Sequence, residues 1–209
     1  MPSVPEIEDV RSVLESFELR LRKVLEDAWN EDWLKLIPKK ARDMMDATTR
    51  ANNMFSFVRQ RAVAEFLNDP DVRLLVSGRS LKFLFRRKVL VRLKKANRKS
   101  GLGSNITTQA TLEFINHPQT DLFPETEVYH VDVLYKEDTL ATRIEAVIAT
   151  CRLGFQKVWD YELQKPAAES GGLVISMPPP SNDGGTTPPV VRPREQADKA
   201  DDADKPRDE

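Results

Sequence analysis

The residues of this chain that are best suited to binding chemistry form a basic run in its middle. Residues 72–112 contain 11 lysines and arginines and no aspartate or glutamate, although the whole chain has a net charge of −1. Closely spaced cations of this kind are typical of surfaces that contact phosphate groups or acidic proteins. The predicted binding residues lie in the densest part of the run: Arg86, Arg87, Lys88, Arg92, Lys94, Lys95, Arg98 and Lys99.

A predicted strand, Lys88–Lys95, positions the middle of this run. Side chains alternate between the two sides of a strand, so one side receives apolar residues and the other receives cations. The apolar residues are Val89, Val91 and Leu93, and the cations are Lys88, Arg92 and Lys94. The sequence therefore predicts a contiguous row of cations that faces solvent on one side of a sheet.

Three interpretations of this basic row stay open. In the first, it is a solvated sheet face whose charges pair with acidic strands within 127–162. In the second, it is a surface for nucleic acid or another polyanion. In the third, it binds an acidic partner protein or the chain's own acidic tail. The aromatic residues near the run are Phe83 and Phe85, which gives little material for stacking the bases of a single strand.

His130 and Asp132 form a second chemical motif, because residues two apart on a strand project to the same side. A carboxylate that orients a histidine is a familiar catalytic arrangement. No serine or cysteine nucleophile motif accompanies the pair, and a polar strand face explains it equally well. We therefore assign no catalytic residue and leave the enzyme question open, with an inclination against it. No cofactor is predicted, since Gly101-Leu102-Gly103-Ser104 lacks the glycine spacing of a nucleotide loop. No metal ligand is predicted either, because Glu113 and His117 have a metal-compatible spacing on the predicted short helix but no third ligand.

The elements around these motifs predict an α+β fold, in which an N-terminal helical hairpin packs on a mostly antiparallel sheet. Apolar residues recur every three or four positions from Ile7 to Ala28, as in an amphipathic helix, and a second helix is expected from about Lys39 to Leu67. A short helix is expected at 107–116, with Asn105 or Thr107 as its cap. The predicted strands are Val72–Val76, Leu81–Phe85, Lys88–Lys95, Glu127–Lys136, Arg143–Arg152 and Phe155–Leu163.

Composition divides the chain into three parts. Residues 1–70 form the hairpin and 71–163 the sheet, together as one domain, whereas 164–209 form an acidic tail with no aromatic residue and eight of the 14 prolines. Such a tail is predicted to be disordered.

The single cysteine, Cys151, cannot close an intramolecular disulfide, and neither a signal peptide nor a spanning segment of ~20 apolar residues is recognisable. We expect a cytoplasmic protein without a membrane partner, and its oligomeric state is left open.

Residues 106–163 resemble the C-terminal half of a group of poorly characterised bacterial and phage-borne proteins. The features that carry the resemblance are Gln109-Ala110 followed by Phe114, the sequence VLY ending at Tyr135, Cys151, and Trp159; the usual glycine before the tyrosine is Leu134 here. Proteins of this group are often encoded beside regulators that join a helix-turn-helix domain to a zinc-metalloprotease domain. The resemblance implies a place in a toxin–antitoxin or phage-related pair with the neighbouring regulator as partner, and it implies no reaction.

Together these observations predict a non-enzymatic bacterial or phage interaction protein that binds a regulatory protein partner through its basic sheet face. The alternative is a nucleic-acid-binding protein that uses the basic band at 86–99. A hydrolase or nuclease built on His130 and Asp132 is the third hypothesis.

Overall fold

The computed structural model of the chain describes residues 4–77, 80–103, 108–116 and 128–166. The first helical segment runs from Ile7 to Leu36 in three α-helices joined by a 3-10 turn and a π-helical turn. Its apolar stripe is buried, as predicted: Val10, Leu14 and Leu21 are completely inaccessible. The α-helices are α1 (Ile7–Leu14), α2 (Glu18–Asp27) and α3 (Leu34–Leu36), with the 3-10 turn at Glu15–Phe17 and the π-helical turn at Ala28–Trp33.

The second helical segment is divided, so the prediction of one continuous helix from Lys39 to Leu67 is wrong. The structure has α4 (Lys39–Met44) and α5 (Ala47–Phe66). The division follows from capping: Met45 has an extended backbone, and the Asp46 carboxylate accepts a hydrogen bond of 2.8 Å from the backbone N–H of Thr49. An aspartate in this position satisfies an amide that has no partner within the helix.

Ion pairs connect α5 to the first helical segment in an antiparallel arrangement. Arg20 of α2 lies 2.6 Å from Glu65 and 2.5 Å from Asp69, at the end of α5. Arg61, one turn earlier in α5, pairs with Asp32 near the other end of the first segment. The two segments therefore form the predicted helical hairpin.

The sheet has six strands in the order of the sequence. Four of the five neighbouring pairs are antiparallel and the pair β3–β4 is parallel, which confirms a mostly antiparallel sheet. All six predicted strands are present within one or two residues of their expected ends. They are β1 (Val72–Ser77), β2 (Ser80–Phe85), β3 (Val89–Lys95), β4 (Tyr129–Glu137), β5 (Ile144–Leu153) and β6 (Gln156–Glu162).

The connection between the parallel strands contains the short predicted helix, α6 (Gln109–Ile115). Its cap is Thr108, whose hydroxyl oxygen accepts from the backbone N–H of Thr111 at 3.3 Å. The two residues proposed as caps, Asn105 and Thr107, lie outside the described residues. A parallel pair requires a crossover connection, and this one carries a helix across the sheet.

The helical hairpin covers one face of the sheet, which we call the helix-covered face. The ring of Phe66 in α5 packs 5.7 Å from the ring of Phe83 and 5.5 Å from that of Phe85, measured between ring centres. Val89, Val91 and Leu93 of β3 point into the same core, as alternation predicts. The other face, which we call the second face, carries a smaller apolar cluster in which α6 packs against the sheet: Leu84, Leu90, Phe114 and Ile115.

The predicted tail begins with residues that α2 holds in place. Arg22 donates hydrogen bonds to the carbonyl oxygens of Leu163 and Gln164, and the backbone N–H of Gln164 donates to Glu18. Apart from 164–166, the predicted disordered segment 164–209 lies outside the described residues. Among the helices that the structure describes, none is long and apolar enough to cross a membrane.

Candidate functional site

The first three predicted binding residues lie in the tight turn between β2 and β3. Arg86 and Arg87 have φ angles of 45° and 56°, and the backbone N–H of Lys88 donates to the carbonyl of Phe85 at 2.9 Å. Two consecutive positive φ angles define a type I′ turn, a conformation that normally favours asparagine and glycine. All three cations are exposed, and Arg86 also donates to the Ser16 hydroxyl at 3.1 Å. They form an exposed basic tip.

Arg92, in the middle of β3, does not face solvent, so the predicted exposed row of cations is wrong at this position. The residue is 4% exposed and its guanidinium donates two hydrogen bonds to Asp132, from Nε at 2.8 Å and from Nη2 at 3.1 Å. The parallel register of β3 and β4 makes these two residues direct neighbours. The Phe114 ring of α6 covers the pair, with the Arg92 Cζ 4.1 Å from the ring centre.

Three further cations surround this buried pair on the second face. The Arg152 Nε of β5 lies 3.4 Å from the second Asp132 oxygen, and Arg152 is 5% exposed. Lys82 of β2 lies across from Arg92, and its ammonium is 5.3 Å from the Phe114 ring centre. Lys94 follows two residues after Arg92, on the same side of β3. We refer to Lys82, Arg92, Lys94 and Arg152 as the basic cluster, with Asp132 at its centre.

Burial and neighbouring charges lower the pKa values of three cations in the basic cluster. Burial lowers the pKa of Lys82, and the positive charge of Arg92 lowers it further, whereas Glu113 of α6 acts in the opposite direction. Burial likewise lowers the pKa of Lys94, with Arg92 and Arg152 adding to this effect and Asp132 opposing it. The pKa of Arg152 is also lowered, first by burial. These directions mean that the fold holds its cations close to one another and partly out of water.

A loop closes the other side of the cluster. Gly103 forms a bridge with Ala96, and a Cβ atom at Gly103 would lie 3.2 Å from an Asp132 carboxylate oxygen and 3.5 Å from the Lys94 Cβ. α6 and this loop therefore border the cluster from two sides. Lys82 and Lys94 remain half-buried, whereas Asp132 is 1% exposed.

The last three predicted binding residues lie at the end of β3 and beyond it, where Lys95 and Arg98 meet acidic residues. The Lys95 ammonium is 2.5 Å from Glu137, and Arg98 is 3.8 Å from the same carboxylate and donates to the carbonyl of Asp138 at 3.2 Å. Lys99 is exposed. Pairing with the acidic strands is thus confirmed for Arg92, Lys95 and Arg98. The eight predicted residues form three separate groups along β3 and not one contiguous row.

His130 and Asp132 share the second face, as predicted, and each has a partner of its own. The His130 Nδ1 is 2.8 Å from the carbonyl oxygen of Phe114, so this nitrogen donates to the backbone of α6. The imidazole also stacks on the Phe114 ring with 4.8 Å between the ring centres. The Asp132 carboxylate accepts its two hydrogen bonds from Arg92.

Two further sources of reactive chemistry would be a cysteine nucleophile and a bound metal ion. Burial raises the pKa of the Cys151 thiol to about 12, with the charge of Asp132 as a second cause, so the thiolate that would act as a nucleophile is scarce near neutral pH. In the part of the chain that the structure describes, no group of three or more histidine, cysteine, aspartate or glutamate side chains could hold a metal ion.

Sequence reasoning missed Lys82 and Arg152 as members of the site. Lys82 lies within the acid-free segment but outside its densest part, and Arg152 is one of four bases among the ten acidic residues of 113–163. The available signal was alternation: once the strand order is known, strand parity places Lys82 on the same side as Arg92 and Arg152 on the same side as Asp132.

Comparison with known proteins returned no match: neither a protein-family model, nor a curated protein, nor a solved structure matches this chain.

Proposed function

We propose that this protein is a non-enzymatic binding protein that recognises an anionic group of its partner with the basic cluster. The observation that carries the proposal is the gathering of cationic side chains near Asp132. Within the described part of the second face, four cationic side chains gather around a single buried carboxylate. Clustered cations in a partly desolvated site attract anions more strongly than exposed cations do.

The separation of the basic residues favours recognition of a confined anionic group over tracking of a long polyanion. A nucleic-acid backbone presents successive phosphates and is bound by exposed cations along its path. Here the exposed basic tip and Lys99 lie at opposite ends of β3, and between them Arg92 is buried. The regulatory protein partner that the resemblance implies, with an acidic segment as its contact, stays a prediction, and nucleic acid is the alternative.

A binding comparison tests the proposal with three immobilised probes: double-stranded DNA, single-stranded RNA and polyglutamate. Wild-type protein should be retained on at least one of them at low salt, and replacement of Lys82 and Lys94 by methionine should abolish retention. Lys136→Met is the matched control, since Lys136 lies on the same face of β4 outside the cluster and pairs with Glu145 at 3.0 Å. Retention that the double variant keeps would refute the assignment of the site. A steep fall of affinity with salt on the nucleic acids alone would favour the alternative.

The geometry gives the hydrolase or nuclease hypothesis no support. His130 is engaged by the α6 backbone and Asp132 by Arg92, so neither is positioned to activate a nucleophile. A His130→Ala variant tests this directly, because a measured phosphodiesterase or esterase activity that disappears in the variant would restore the hypothesis.

A further inference from the structure

The two end strands of the sheet, β1 and β6, differ in how their outer edges are protected. In β6 the register with β5 shifts at one point, three residues are charged, and Trp159 donates to the carbonyl oxygen of Pro5 at 2.8 Å. In β1 the register with β2 is continuous and Arg73 is the one charged residue. Bulges, charges and covering segments are the usual features that prevent an edge strand from pairing with another chain. In the described part of the chain, β1 is therefore the less protected edge.

The backbone of β1 has hydrogen-bonding groups that point away from the sheet. The Arg86 N–H donates to the carbonyl oxygen of Asp71 at 2.8 Å, and these two residues are opposite each other in the β1–β2 register. An antiparallel ladder uses every second residue of a strand, so the residues between these positions face outward. The outward-facing residues are Val72, Leu74 and Val76. Among the described residues, the Val72 N–H donates to the Asp69 carbonyl, and the amides of the other two have no backbone partner.

Apolar side chains accompany this edge on the helix-covered face. Val76, at the end of β1, is 61% exposed. Leu67 follows the last residue of α5, shortly before β1 begins, and is 60% exposed. Leu74 lies in the middle of the strand and is half-buried against the core. Exposed apolar residues are thus found towards both ends of β1.

A second copy of β1 matches the edge in both its hydrogen bonds and its side chains. In an antiparallel pair with two-fold symmetry about Leu74, this residue faces its own copy, and Val72 faces Val76 of the second copy. A shift of the register by two residues in either direction would leave one of the three outward-facing residues unmatched. In the symmetric register, Arg73 faces Leu75 of the second copy, so no like charges are directly opposite each other.

From this geometry we propose that the outer edge of β1 is a dimerisation surface, to which a second copy of the chain adds its own β1 in antiparallel orientation. The inference goes beyond the proposed function, because it concerns the edge of the sheet and not the basic cluster. Stable interfaces bury about 1,200–2,000 Å², and a pair of short strands provides less than this. The dimer should therefore be reversible and should form as the protein concentration rises.

Sedimentation equilibrium of the full chain across the micromolar range tests the proposal. The wild type should change from monomer to dimer with concentration. Val76→Lys places a charge on the edge and Val76→Pro removes an outward N–H, and each should weaken the dimer by about tenfold or more. Both variants should keep the wild-type Tm, because this side chain is exposed and this N–H does not bond to β2. Val158→Lys is the matched control and should dimerise as the wild type does, since Val158 is 46% exposed on the opposite edge strand.

Amide hydrogen exchange shows which edge forms the contact. With rising concentration the amides of Leu74 and Val76 should become protected, whereas those of Arg73 and Leu75, which bond to β2 already in the monomer, should change little. A chain that stays monomeric overturns the proposal, and so does a dimer that both Val76 variants retain. Protection of the two outward amides that appears only after polyglutamate is added would assign the edge to an extended segment of another protein, which also overturns the second copy as its occupant.

Discussion

The Asp132→Asn substitution tests the central electrostatic feature of the second face. It preserves the size and shape of the side chain but removes the carboxylate charge. In the native structure this carboxylate is 1% exposed, accepts hydrogen bonds of 2.8 and 3.1 Å from Arg92, and lies 3.4 Å from the Arg152 Nε. Its loss removes the counter-charge that binds the buried Arg92 guanidinium and one charged neighbour of Arg152. Removal of one partner of a buried ion pair costs about 3–5 kcal/mol, and we expect a value in this range.

Urea denaturation followed by circular dichroism measures this loss. With an m-value of about 2 kcal/mol/M, a decrease of 3–5 kcal/mol moves the midpoint down by about 2 M. The matched control is Asp160→Asn, because Asp160 is an exposed carboxylate of β6 that pairs with Lys157 at the surface. An exposed pair contributes about 0–1 kcal/mol, so this control should stay near the wild-type midpoint.

A second comparison shows whether the loss comes from uncompensated charge. In an Arg92→Met background, Asp132→Asn should cost less than in the wild type, because one of the two guanidinium groups is already absent. A midpoint for Asp132→Asn as high as that for Asp160→Asn would show that Asp132 does not act as the counter-ion of these arginines.

Three further substitutions test the hairpin, the turn and the acid sensitivity of the fold. Phe66→Ala should lower the unfolding free energy by about 3–5 kcal/mol, whereas truncation of the 80% exposed Met44 should change it by less than about 0.5 kcal/mol in the same urea assay. Arg87→Gly should stabilise the protein by about 1 kcal/mol, because the φ of 56° is strained for arginine and free for glycine; a lower midpoint would contradict this. Arg20 lowers the pKa of Asp69 by donating a hydrogen bond to its carboxylate, so the pair adds stability above the unfolded pKa and loses it as pH falls through the folded value. Asp69→Asn should therefore flatten the fall in Tm below about pH 4, and an unchanged acid profile would remove this pair as a cause.

The fold could be predicted because its elements follow local patterns. The helical stripe from Ile7 to Ala28 and the alternation along β3 each place apolar residues on one side, and burial on the helix-covered face follows from that pattern. The division at Asp46 could also have been predicted from the sequence, because aspartate is one of the residues preferred immediately before the first turn of a helix. It was missed because the apolar positions continue past it with helical spacing.

The site was less predictable, because alternation assigns a side chain to a side of the strand but does not say what covers that side. Arg92 has the parity of a solvent-facing cation, yet its surroundings come from other parts of the sequence: Asp132 from β4 and Phe114 from α6. The parallel β3–β4 register brings the first of these into contact, and a parallel pair cannot be recognised from a hairpin turn. The burial of Arg92 therefore depends on contacts with residues that are far from it in the sequence.

The same pairing explains why the net charge of a segment was an incomplete guide to the binding surface. The acid-free segment 72–112 contributes Lys82, Arg92 and Lys94, but the acidic segment that follows it contributes both the counter-ion Asp132 and the fourth cation, Arg152. Segment charge counts residues by their order along the chain, whereas the sheet brings them together by strand neighbour. A carboxylate and a cation of the acidic segment therefore come to lie beside Arg92, which the charge of either segment alone does not indicate.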